Sequence, residues 1–492
     1  MGEALATVAE GRLKGVSEGG VRRFLGVPYA ASPLGERRFA APQPYPAWEG
    51  VRDVSRPGPT APQAKTPAFP GLDIVPLVGA GWREGDDFLQ CNIWAPEDAK
   101  AAPVMVFIHG GAFVGGSNDA PVTDGTAFAR SGVVLVSINY RLGVEGWLVL
   151  PGAPTNLGLR DQIAALRWVQ ENIAAFGGDP ANVTVFGESA GAMSIGCLIA
   201  SPLAKGLFRR AIVESGHGSM VRPIAVARRV TAKLAKLAGV TPDVEGFATL
   251  SPAQWIPQQQ TVQLPTTRID LRDGQGREPA YGLSRFLPVF GDDVLPEHPL
   301  DALAKGAGAE VELLIGTNAE EMNLYFVPTG VKARIGRLLA WFILRGKVPK
   351  ARAILKAYGM GRRKAGDAFT EALSDLVFRQ PARVFAAAHR GRTHFYELGW
   401  RSPIFGGELG ACHAIELPFV FDTIACCTGE EGFVGPRPPA DLAKRIHAIW
   451  VGFARDGGLD WPEYSADKPW VRRLEQDEAA TEALLPAAPF CS

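Results

Sequence analysis

The 492-residue chain has few cysteines, and no regular spacing relates them. None of the six stands in a C-x-x-C spacing, so the sequence offers neither a disulfide framework nor a thiolate metal site. Scattered cysteines of this kind are typical of free thiols in a reducing compartment. We therefore expect free thiols and a cytoplasmic protein.

The chain also lacks an imbalance of charge. Lysine plus arginine and aspartate plus glutamate are both 51, so no net field favours nucleic acid or an anionic membrane. Apolar residues make up 47% and charged residues 21%, which is typical of an ordinary globular protein. We expect no nucleic-acid partner.

Long apolar runs and targeting segments are missing as well. The most apolar run, Leu338 to Leu344, is much shorter than the roughly 20 residues that span a bilayer. The N-terminus, Met1 to Ala6, has neither the basic nor the apolar region of a signal peptide. These absences predict a chain without a transmembrane segment.

Loops that bind the common cofactors are absent from the sequence. There is no G-x-x-x-x-G-K-S/T loop, no G-x-G-x-x-G that opens a helix, and no histidine and cysteine cluster with metal-ligand spacing. We expect neither a cofactor nor a metal ion.

The most informative stretch runs from Val183 to Ala192. A β-branched apolar run leads into Gly187-Glu188-Ser189-Ala190-Gly191, a G-x-S-x-G pattern, and apolar residues at helical spacing follow. A serine on such a sharp strand-to-helix turn has an exposed hydroxyl, as nucleophilic catalysis requires. The pattern recurs at Ser17 without a strand before it or a helix after it, and we interpret that copy as a hairpin turn.

The rest of the chain alternates short apolar runs with helical periodicity. Buried strands are predicted at 104–108, 133–138, from Val183 into Ser189, and at 211–213, 311–315 and 394–396, with a helix over 161–173. This alternation predicts an α/β architecture whose mostly parallel sheet is covered by helices on both faces. Residues 11–60 predict small antiparallel strands, and 61–85 predict a long surface loop. We expect one domain over 1–492, with helical insertions around 220–290 and 320–390.

The segment from Lys332 to Lys350 is amphipathic, with basic residues around an apolar run. The simplest interpretation is a helix packed on the core. A lid or pocket wall comes second, and interfacial contact with a membrane comes third. Trp341 and Phe342 in this segment, together with Phe113, are candidate pocket walls, although such residues are more often plain core.

A serine nucleophile needs a base, which is usually a histidine oriented by a carboxylate. His413 follows small residues and precedes an apolar run, which suits a side chain presented at a sheet edge. His109 opens a glycine loop directly after a strand. The other histidines stand in no motif and are interpreted as structural or surface residues: His217, His298, His389, His394 and His447.

Chain order places the remaining parts of a serine hydrolase site. If the order is serine, acid, histidine, then Glu320 and Glu321 fall in the right interval, directly after an apolar strand. Spacing alone does not choose between these two carboxylates. The loop His109-Gly110-Gly111-Ala112 and the residue after the nucleophile, Ala190, can direct backbone N–H groups at an oxyanion.

Ordered motifs along nearly the whole chain resemble the type-B carboxylesterase/lipase family, which includes bacterial para-nitrobenzyl esterases and the cholinesterases. They are Phe24–Ala30 with Arg38-Phe39, Asn139–Gly143, Asn156–Gln162, Phe176–Pro180, Phe186–Ala192, Gly206–Phe208 and Glu214–Gly216. The resemblance implies the α/β-hydrolase fold. It also implies Ser189 as nucleophile, His413 as general base and acid, Glu321 as orienting acid, and Gly111, Ala112 and Ala190 as oxyanion donors.

Three positions depart from the family pattern. Met322 stands where many members have glycine after the acid, and Phe88 stands where secreted animal members have the first cysteine of a disulfide. Glu145 occupies a position that is usually aromatic. An unpaired carboxylate would be costly to bury there, so Glu145 is expected either to line the gorge or to face solvent.

These features predict a metal-independent carboxylic-ester hydrolase that acts through a serine acyl-enzyme, as a monomer or a homodimer. The expected substrates are small-molecule esters with short-to-medium acyl or aryl groups. A lipase and an aryl-carbamate hydrolase are alternatives that keep the same triad. A non-catalytic binding protein of the same fold is disfavoured, because all three triad positions are filled. Residues 61–85 and 325–350 are expected to set specificity.

Overall fold

A computed structural model of the chain describes residues 2–274, 276, 278 and 284–490. Part of the insertion predicted around 220–290, namely residues 275, 277 and 279–283, lies outside the described residues, as does Cys491. The other five cysteines are free thiols, Cys91, Cys197, Cys412, Cys426 and Cys427.

Most strands of the described chain belong to one mixed sheet. In chain order the strands are β1 Gly2–Val8, β2 Gly11–Glu18, β3 Val21–Pro28, β4 Val51–Asp53, β5 Gln90–Pro96, β6 Ala102–Ile108, β7 Val134–Ile138, β8 Gly178–Glu188, β9 Arg210–Glu214, β10 Arg222–Pro223, β11 Val289–Phe290, β12 Glu312–Asn318, β13 Thr393–Leu398, β14 Trp470–Arg473 and β15 Glu478–Thr481. The sheet order is β1-β2-β3-β5-β7-β6-β8-β9-β12-β13-β14-β15, with β4 on β2. Strands β10 and β11 pair separately.

In the central run of the sheet, β7-β6-β8-β9-β12-β13-β14, each strand is parallel to the next. The antiparallel pairs lie towards the two edges, along β1-β2-β3-β5-β7 at one end and between β14 and β15 at the other. Parallel strands need a crossover on a sheet face, which is why helical segments separate them along the chain. The predicted α/β architecture with a mostly parallel sheet is confirmed.

Helices cover both faces of this sheet. In chain order they are α1 Val75–Val78, α2 Thr126–Arg130, α3 Gly143–Trp147, α4 Leu157–Asn172, α5 Ala190–Ala200, α6 Ile224–Ala238, α7 Val244–Ala248, α8 Pro252–Gln263, α9 Pro299–Ala304, α10 Asn323–Phe326, α11 Val331–Arg334, α12 Arg337–Arg345, α13 Ala351–Ala357, α14 Ala365–Ser374, α15 Gln380–Ala388, α16 Leu417–Val420 and α17 Ala440–Asp456. In the described ranges, no helix combines the length and the hydropathy needed to cross a membrane.

Side chains of β6 show how the two faces are built. Val104 and Val106 belong to the apolar cluster that contains α4 and α5, whereas Met105 and Phe107 belong to the cluster that contains α2 and α17. Successive side chains of a strand point to opposite faces, so an unbroken apolar run is what a strand buried on both sides requires.

Local details differ from the sequence-based expectations in three places. Ser17 lies within β2, paired with Arg22 of β3, and the hairpin turn is made by Gly19 and Gly20, which both have positive φ. The helix predicted at 161–173 begins earlier, at Leu157, and ends at Asn172. The loop predicted at 61–85 contains the short helix α1. Only the helix was defined by side-chain spacing, and such spacing does not fix the residue at which a helix begins.

Candidate active site

Ser189 occupies the turn between β8 and α5, at the carboxyl end of the parallel strands. Its φ of 55° and ψ of −119° are unfavourable for a residue with a side chain. The flanking glycines allow this turn, because a Cβ on Gly187 or Gly191 would lie 2.4 Å or 1.8 Å from the carbonyl oxygen of Ile108. The strand-turn-helix context expected for a nucleophile is therefore present at Ser189.

His413 and Glu321 come from two different loops and meet beside this turn. Nδ1 of His413 lies 2.7 Å from Oε2 of Glu321, and both side chains are buried. The backbone N–H of His413 also donates to the carbonyl oxygen of Glu321, at 3.2 Å. An imidazole held this way through Nδ1 presents Nε2 as its free basic atom.

The second oxygen of Glu321 is fully occupied by donors. Oε1 accepts hydrogen bonds from the backbone N–H of Asn318 at 2.7 Å and from the hydroxyl of Ser215 at 2.8 Å. Hydrogen bonds to both oxygens fix the orientation of the carboxyl group. Glu321 is thus arranged to orient the imidazole.

Glu320, the adjacent carboxylate, faces a different environment. It pairs with the guanidinium of Arg401 and accepts a hydrogen bond from the backbone N–H of Ala411 at 3.0 Å. Its side chain keeps 29% of its exposure and does not contact His413. The tertiary structure therefore distinguishes two carboxylates that spacing alone left equivalent.

Nε2 of His413 faces Glu188 in this structure. The distance from Nε2 to Oε1 of Glu188 is 3.0 Å, although the two groups are not aligned for a hydrogen bond. The hydroxyl of Ser189 has no hydrogen-bond partner within the part of the chain that the structure describes. The imidazole consequently lies between two carboxylates, with the serine next in sequence to one of them.

Burial and charge shift the protonation of this group of residues. Burial raises the pKa of Glu188, and the neighbouring His413 offsets only part of that rise. Burial alone would lower the pKa of His413, but Tyr325, Glu188 and Glu321 outweigh it and raise that pKa well above the usual value. The site therefore stabilises an imidazolium, which is the charge that forms when histidine accepts a proton from serine.

A second layer of polar residues lies behind Glu321. The side-chain amide of Asn318 donates to Oε2 of Glu416 at 2.5 Å, and the hydroxyl of Ser215 lies 3.3 Å from Oε1 of the same carboxyl. Burial, together with the charges of Glu188 and Glu321, raises the pKa of Glu416 to about 8. Glu416 is therefore mostly protonated at neutral pH, which limits the negative charge collected around His413.

Sequence reasoning missed Glu188, Ser215, Asn318 and Glu416 as parts of the site. A signal existed for each one, because Glu188 precedes the serine and Glu416 follows His413 by three residues. Ser215 directly follows β9 and Asn318 is the last residue of β12, and both strands end beside the site. Position after a strand is a weak signal on its own, since most such residues only end the strand.

The loop after β6 carries the amides expected to bind an oxyanion. Gly111, Ala112 and Phe113 have φ of 111°, 55° and 63°. In the described chain neither the N–H of Gly111 nor that of Ala112 donates to another residue. Ala190 is the first residue of α5, so its N–H has no partner within the helix. These are the three donors that the family resemblance implies.

Two contacts hold this loop in place. The His109 ring stacks on Tyr140, with centroids 4.5 Å apart, and its Nδ1 donates to the carbonyl oxygen of Gly110 at 2.8 Å. Burial lowers the pKa of His109 to about 4, so the ring is neutral and structural. Gln63 exchanges two hydrogen bonds of 2.8 Å with the backbone of Gly116, which ties the 61–85 segment to the loop.

A cavity of about 190 Å³ opens over these groups. Ser189, His413 and the loop from Gly110 to Ala112 line one side of it. The rest of its wall includes His109, Gly116, Ser117 and Glu188, and its larger part is apolar: Pro67, Phe69, Ile74, Leu77, Val78, Phe107, Leu324, Tyr325, Ala414 and Leu417. The cavity suits an apolar substituent held next to the serine hydroxyl.

The candidate pocket walls from the sequence do not line this cavity. Phe113 packs in the core, with its ring 4.6 Å from that of Trp147. Trp341 and Phe342 belong to α12, and no residue of that helix reaches the cavity. The interpretation of the 332–350 segment as a pocket wall is therefore wrong for this structure.

Both expectations for Glu145 are also wrong. The residue is 4% exposed and is absent from the wall of the cavity over Ser189. Its carboxylate instead binds Arg38, with the shortest N–O distance 2.7 Å. Arg38 in turn donates to the carbonyl oxygens of Ala248 and Leu250 at 3.1 Å and 2.8 Å. A buried carboxylate is tolerated here because it is paired.

Among the residues with described positions, no three histidine, cysteine, aspartate or glutamate side chains converge as metal ligands would.

Known proteins resemble the chain over nearly its full length. Residues 3–486 match the carboxylesterase family. Para-nitrobenzyl esterase of Bacillus subtilis (strain 168) is 36% identical to the chain, over 94% of this chain and 93% of that protein. Phenmedipham hydrolase of Pseudarthrobacter oxydans is 34% identical, over 95% of this chain and 94% of that protein.

Solved structures agree with these sequence relatives. A structure of PNB esterase superposes with a TM-score of 0.84 at 32% identity, covering 97% of this chain and 96% of that one. A carboxylesterase of Geobacillus stearothermophilus at pH 6.2 superposes with a TM-score of 0.81 at 34% identity, covering 97% of both chains. The common fold thus extends across the sheet, the helices and the loops around Ser189.

Proposed function

The chain belongs to the carboxylesterase family and hydrolyses carboxylic esters, and we propose that Ser189, His413 and Glu321 perform this reaction through an acyl-enzyme. The observation that carries the proposal is the 2.7 Å contact between His413 and Glu321 beside the strained turn of Ser189. A serine needs a base within reach, and a base needs a partner that fixes its tautomer.

The proposed reaction has two halves. The Oγ of Ser189 attacks the ester carbonyl carbon while Nε2 of His413 takes the hydroxyl proton. The carbon becomes tetrahedral, and the carbonyl oxygen becomes an oxyanion. The intermediate collapses, the C–O bond to the alcohol breaks, and His413 protonates the leaving oxygen. Water then attacks the acyl-serine with His413 again as base, which releases the acid and restores the serine.

We propose that the oxyanion is bound by the N–H groups of Gly111, Ala112 and Ala190. In the described chain these N–H groups donate no backbone hydrogen bond, so they can bind a substrate oxygen. The loop also lines the same cavity as Ser189. Donors fixed before the reaction do not have to reorganise when charge appears on the oxygen, which is why such sites lower the barrier.

We propose that Glu188 stabilises the imidazolium and that His413 moves between two positions. With Nε2 directed at Glu188 the ring is in a resting position, 3.0 Å from that carboxyl. For the attack, Nε2 must instead accept from the serine hydroxyl. The substrate in the cavity excludes water from these groups and so strengthens their mutual interactions.

We propose short-to-medium acyl esters and aryl esters of small molecules as substrates. The cavity volume of about 190 Å³ is below the roughly 300 to 1,000 Å³ of pockets that take drug-sized ligands. Its wall is mostly apolar, so the group it binds should be apolar and compact. The relative named phenmedipham hydrolase supports aryl carbamates as a second candidate class.

We infer a single domain, because one sheet runs from Gly2 to Thr481. We also infer that the enzyme needs no metal or cofactor, binds no nucleic acid, and works in the cytoplasm as a monomer or homodimer. The free thiols of the described cysteines support the reducing compartment.

The test is release of p-nitrophenol from acetate, butyrate and palmitate esters by wild type, Ser189→Ala and Ser17→Ala. Ser17 is a matched control, because it stands in the same G-x-S-x-G pattern but lies on strand β2. We expect short esters to be preferred, Ser189→Ala to lose about 10⁴-fold or more in kcat, and Ser17→Ala to match wild type. Activity of Ser189→Ala equal to wild type would refute the assigned nucleophile. Turnover of an aryl carbamate in preference to esters would favour the second candidate class.

A further inference from the structure

The segment from Met322 to Gly366 contains no acidic residue, although the whole chain has equal numbers of acidic and basic residues. It contains eleven lysines and arginines: Lys332, Arg334, Arg337, Arg345, Lys347, Lys350, Arg352, Lys356, Arg362, Arg363 and Lys364. A formal net charge of zero for the protein therefore conceals a strongly cationic region. We call Met322–Gly366 the basic segment.

Most cations of the basic segment are unpaired. Lys332 pairs with Asp367, Lys347 with Glu278 and Arg363 with Glu371. The other eight are exposed, and no described carboxylate lies within 4.0 Å of them: Arg334, Arg337, Arg345, Lys350, Arg352, Lys356, Arg362 and Lys364. Unpaired cations that lie near each other repel, so their concentration here favours an anionic partner.

Helix α12 crosses the basic segment and exposes an apolar face. Leu338 is 82% exposed and Phe342 is 59% exposed, while Leu339 and Ile343 are 49% and 38% exposed. Residues four apart lie on the same side of a helix, so these two pairs form one continuous face. Elsewhere in the described chain, exposed large apolar side chains occur singly along the sequence, and single ones need no partner.

Arginines are held at the edge of this apolar face. The guanidinium of Arg345 lies 4.5 Å from the ring centroid of Phe342 and 4.8 Å from that of Trp341. Arg352, from the next helix, lies 4.7 Å from the Trp341 ring. These contacts place charge beside exposed apolar area, which is the arrangement of helices that lie in the headgroup layer of a membrane.

We propose that α12 docks the protein onto an anionic phospholipid bilayer. Leu338, Leu339, Phe342 and Ile343 enter the boundary between headgroups and acyl chains, while the unpaired cations contact lipid phosphates. The nine residues of α12 span about 14 Å, so the helix lies on the bilayer and does not cross it. A face-to-face contact with the same surface of a second copy would bring like charges together.

The docking surface is joined to the wall of the cavity over Ser189. Leu324 and Tyr325, which line that cavity, belong to α10, and only residues 327–336 separate α10 from α12. Docking through α12 would therefore tether a segment of the cavity wall to the lipid surface through a ten-residue connection. The docking itself does not depend on the proposed catalytic roles.

The test is flotation of the purified protein with vesicles of phosphatidylglycerol and phosphatidylcholine in equal parts, or of phosphatidylcholine alone. We expect binding to the anionic vesicles only, falling as NaCl rises, because salt screens exposed charges. Leu338→Gln with Phe342→Gln should weaken binding at least about tenfold. Leu484→Gln is the matched control, because Leu484 is also 82% exposed and lies outside the basic segment.

Charge variants test the second half of the proposal. Arg337→Gln with Arg345→Gln should weaken binding by about fivefold for each cation removed. Arg12→Gln with Arg56→Gln removes the same charge from exposed positions elsewhere and should bind like wild type. Circular dichroism and hydrolysis of p-nitrophenyl acetate should be unchanged in all four variants, since none of these side chains lines the cavity.

Four results would overturn the proposal. The first is equal flotation of wild type with both kinds of vesicle, and the second is wild-type binding by the Leu338 and Phe342 variant. The third is concentration-dependent dimerisation, seen by light scattering and lost in that variant, which would make a second copy the occupant. The fourth is binding to an acidic polymer such as heparin without binding to the anionic vesicles.

Discussion

Oε1 of Glu188 lies 3.0 Å from Nε2 of His413, on the ring edge opposite the Nδ1 that contacts Glu321 at 2.7 Å. A buried imidazole between two carboxylates holds its proton more strongly than one with a single partner. Burial raises the pKa of Glu188, so this carboxyl takes up a proton more readily than an exposed one. The protonation state of Glu188 therefore governs how available Nε2 is as a base.

Removal of the Glu188 charge should extend activity to lower pH. Glu188 raises the pKa of His413, and kcat/KM requires the neutral imidazole in the free enzyme. Glu188→Gln should lower that pKa, so the acid limb of kcat/KM against pH should move to lower pH. The measurement is a pH profile with p-nitrophenyl butyrate. An acid limb at the wild-type position would show that Glu188 does not influence the base.

The two adjacent carboxylates should differ sharply in effect. Glu321→Gln should lower kcat by about 10³ to 10⁴-fold, because the amide can hold the ring in the wrong tautomer and does not stabilise the imidazolium. Glu320→Gln is the matched control, since Glu320 binds Arg401 and the N–H of Ala411 instead. It should change kcat less than about tenfold. Steady-state kinetics on both variants checks this, and similar losses would contradict the assignment of Glu321.

A methyl group on Gly111 should damage the oxyanion loop. A Cβ there would lie 2.1 Å from the carbonyl oxygen of Gly115, and the φ of 111° disfavours a side chain. Gly111→Ala should lower kcat by about 10² to 10³-fold, as does the loss of one oxyanion donor, with a smaller change in KM. Gly206→Ala shares the positive φ, at 80°, but its Cβ would meet no atom within 4 Å. If the Gly206 variant lost as much kcat, backbone strain in general would be the cause.

The pair of Arg38 and Glu145 should contribute to stability without contributing to catalysis. Arg38→Met leaves a buried carboxylate without its partner and should lower the free energy of unfolding by about 3 to 5 kcal/mol. The double variant with Glu145→Met should recover most of that loss, because both charges are then absent. Arg363→Met, which breaks an exposed pair with Glu371, should cost less than about 1 kcal/mol. Urea unfolding checks the order, and a double variant as unstable as Arg38→Met would refute the pairing argument.

Elements set by local chemistry could be predicted from the sequence. The run from Val104 to Ile108 is apolar at every position and β-branched at three, which favours a strand buried on two faces, and it belongs to β6 between β7 and β8. The apolar spacing of α4 predicted its existence, whereas its first residue, Leu157, was missed. Helix ends depend on contacts with the rest of the chain more than on spacing.

Positions set by distant contacts could not be predicted in this way. Glu145 was expected to face the gorge or the solvent, because its partner Arg38 lies 107 residues away in the sequence. The exposure of the face of α12 that carries Leu338 and Phe342 could not be predicted from the sequence either. An amphipathic pattern indicates that a helix has an apolar side, but only the packing of its neighbours decides whether that side is covered.

The sequence by itself determined the strand-turn-helix around Ser189, because glycines, a β-branched run and helical spacing act within a few residues. It also determined the parallel sheet, through apolar runs that alternate with helices. Spacing left Glu320 and Glu321 equivalent and the family resemblance implied Glu321, whose contact with His413 is made by the tertiary structure. Only the tertiary structure decided that Glu188 faces the other ring edge. Those contacts join side chains from separate loops, and their distances follow from how the whole sheet brings the strand ends together.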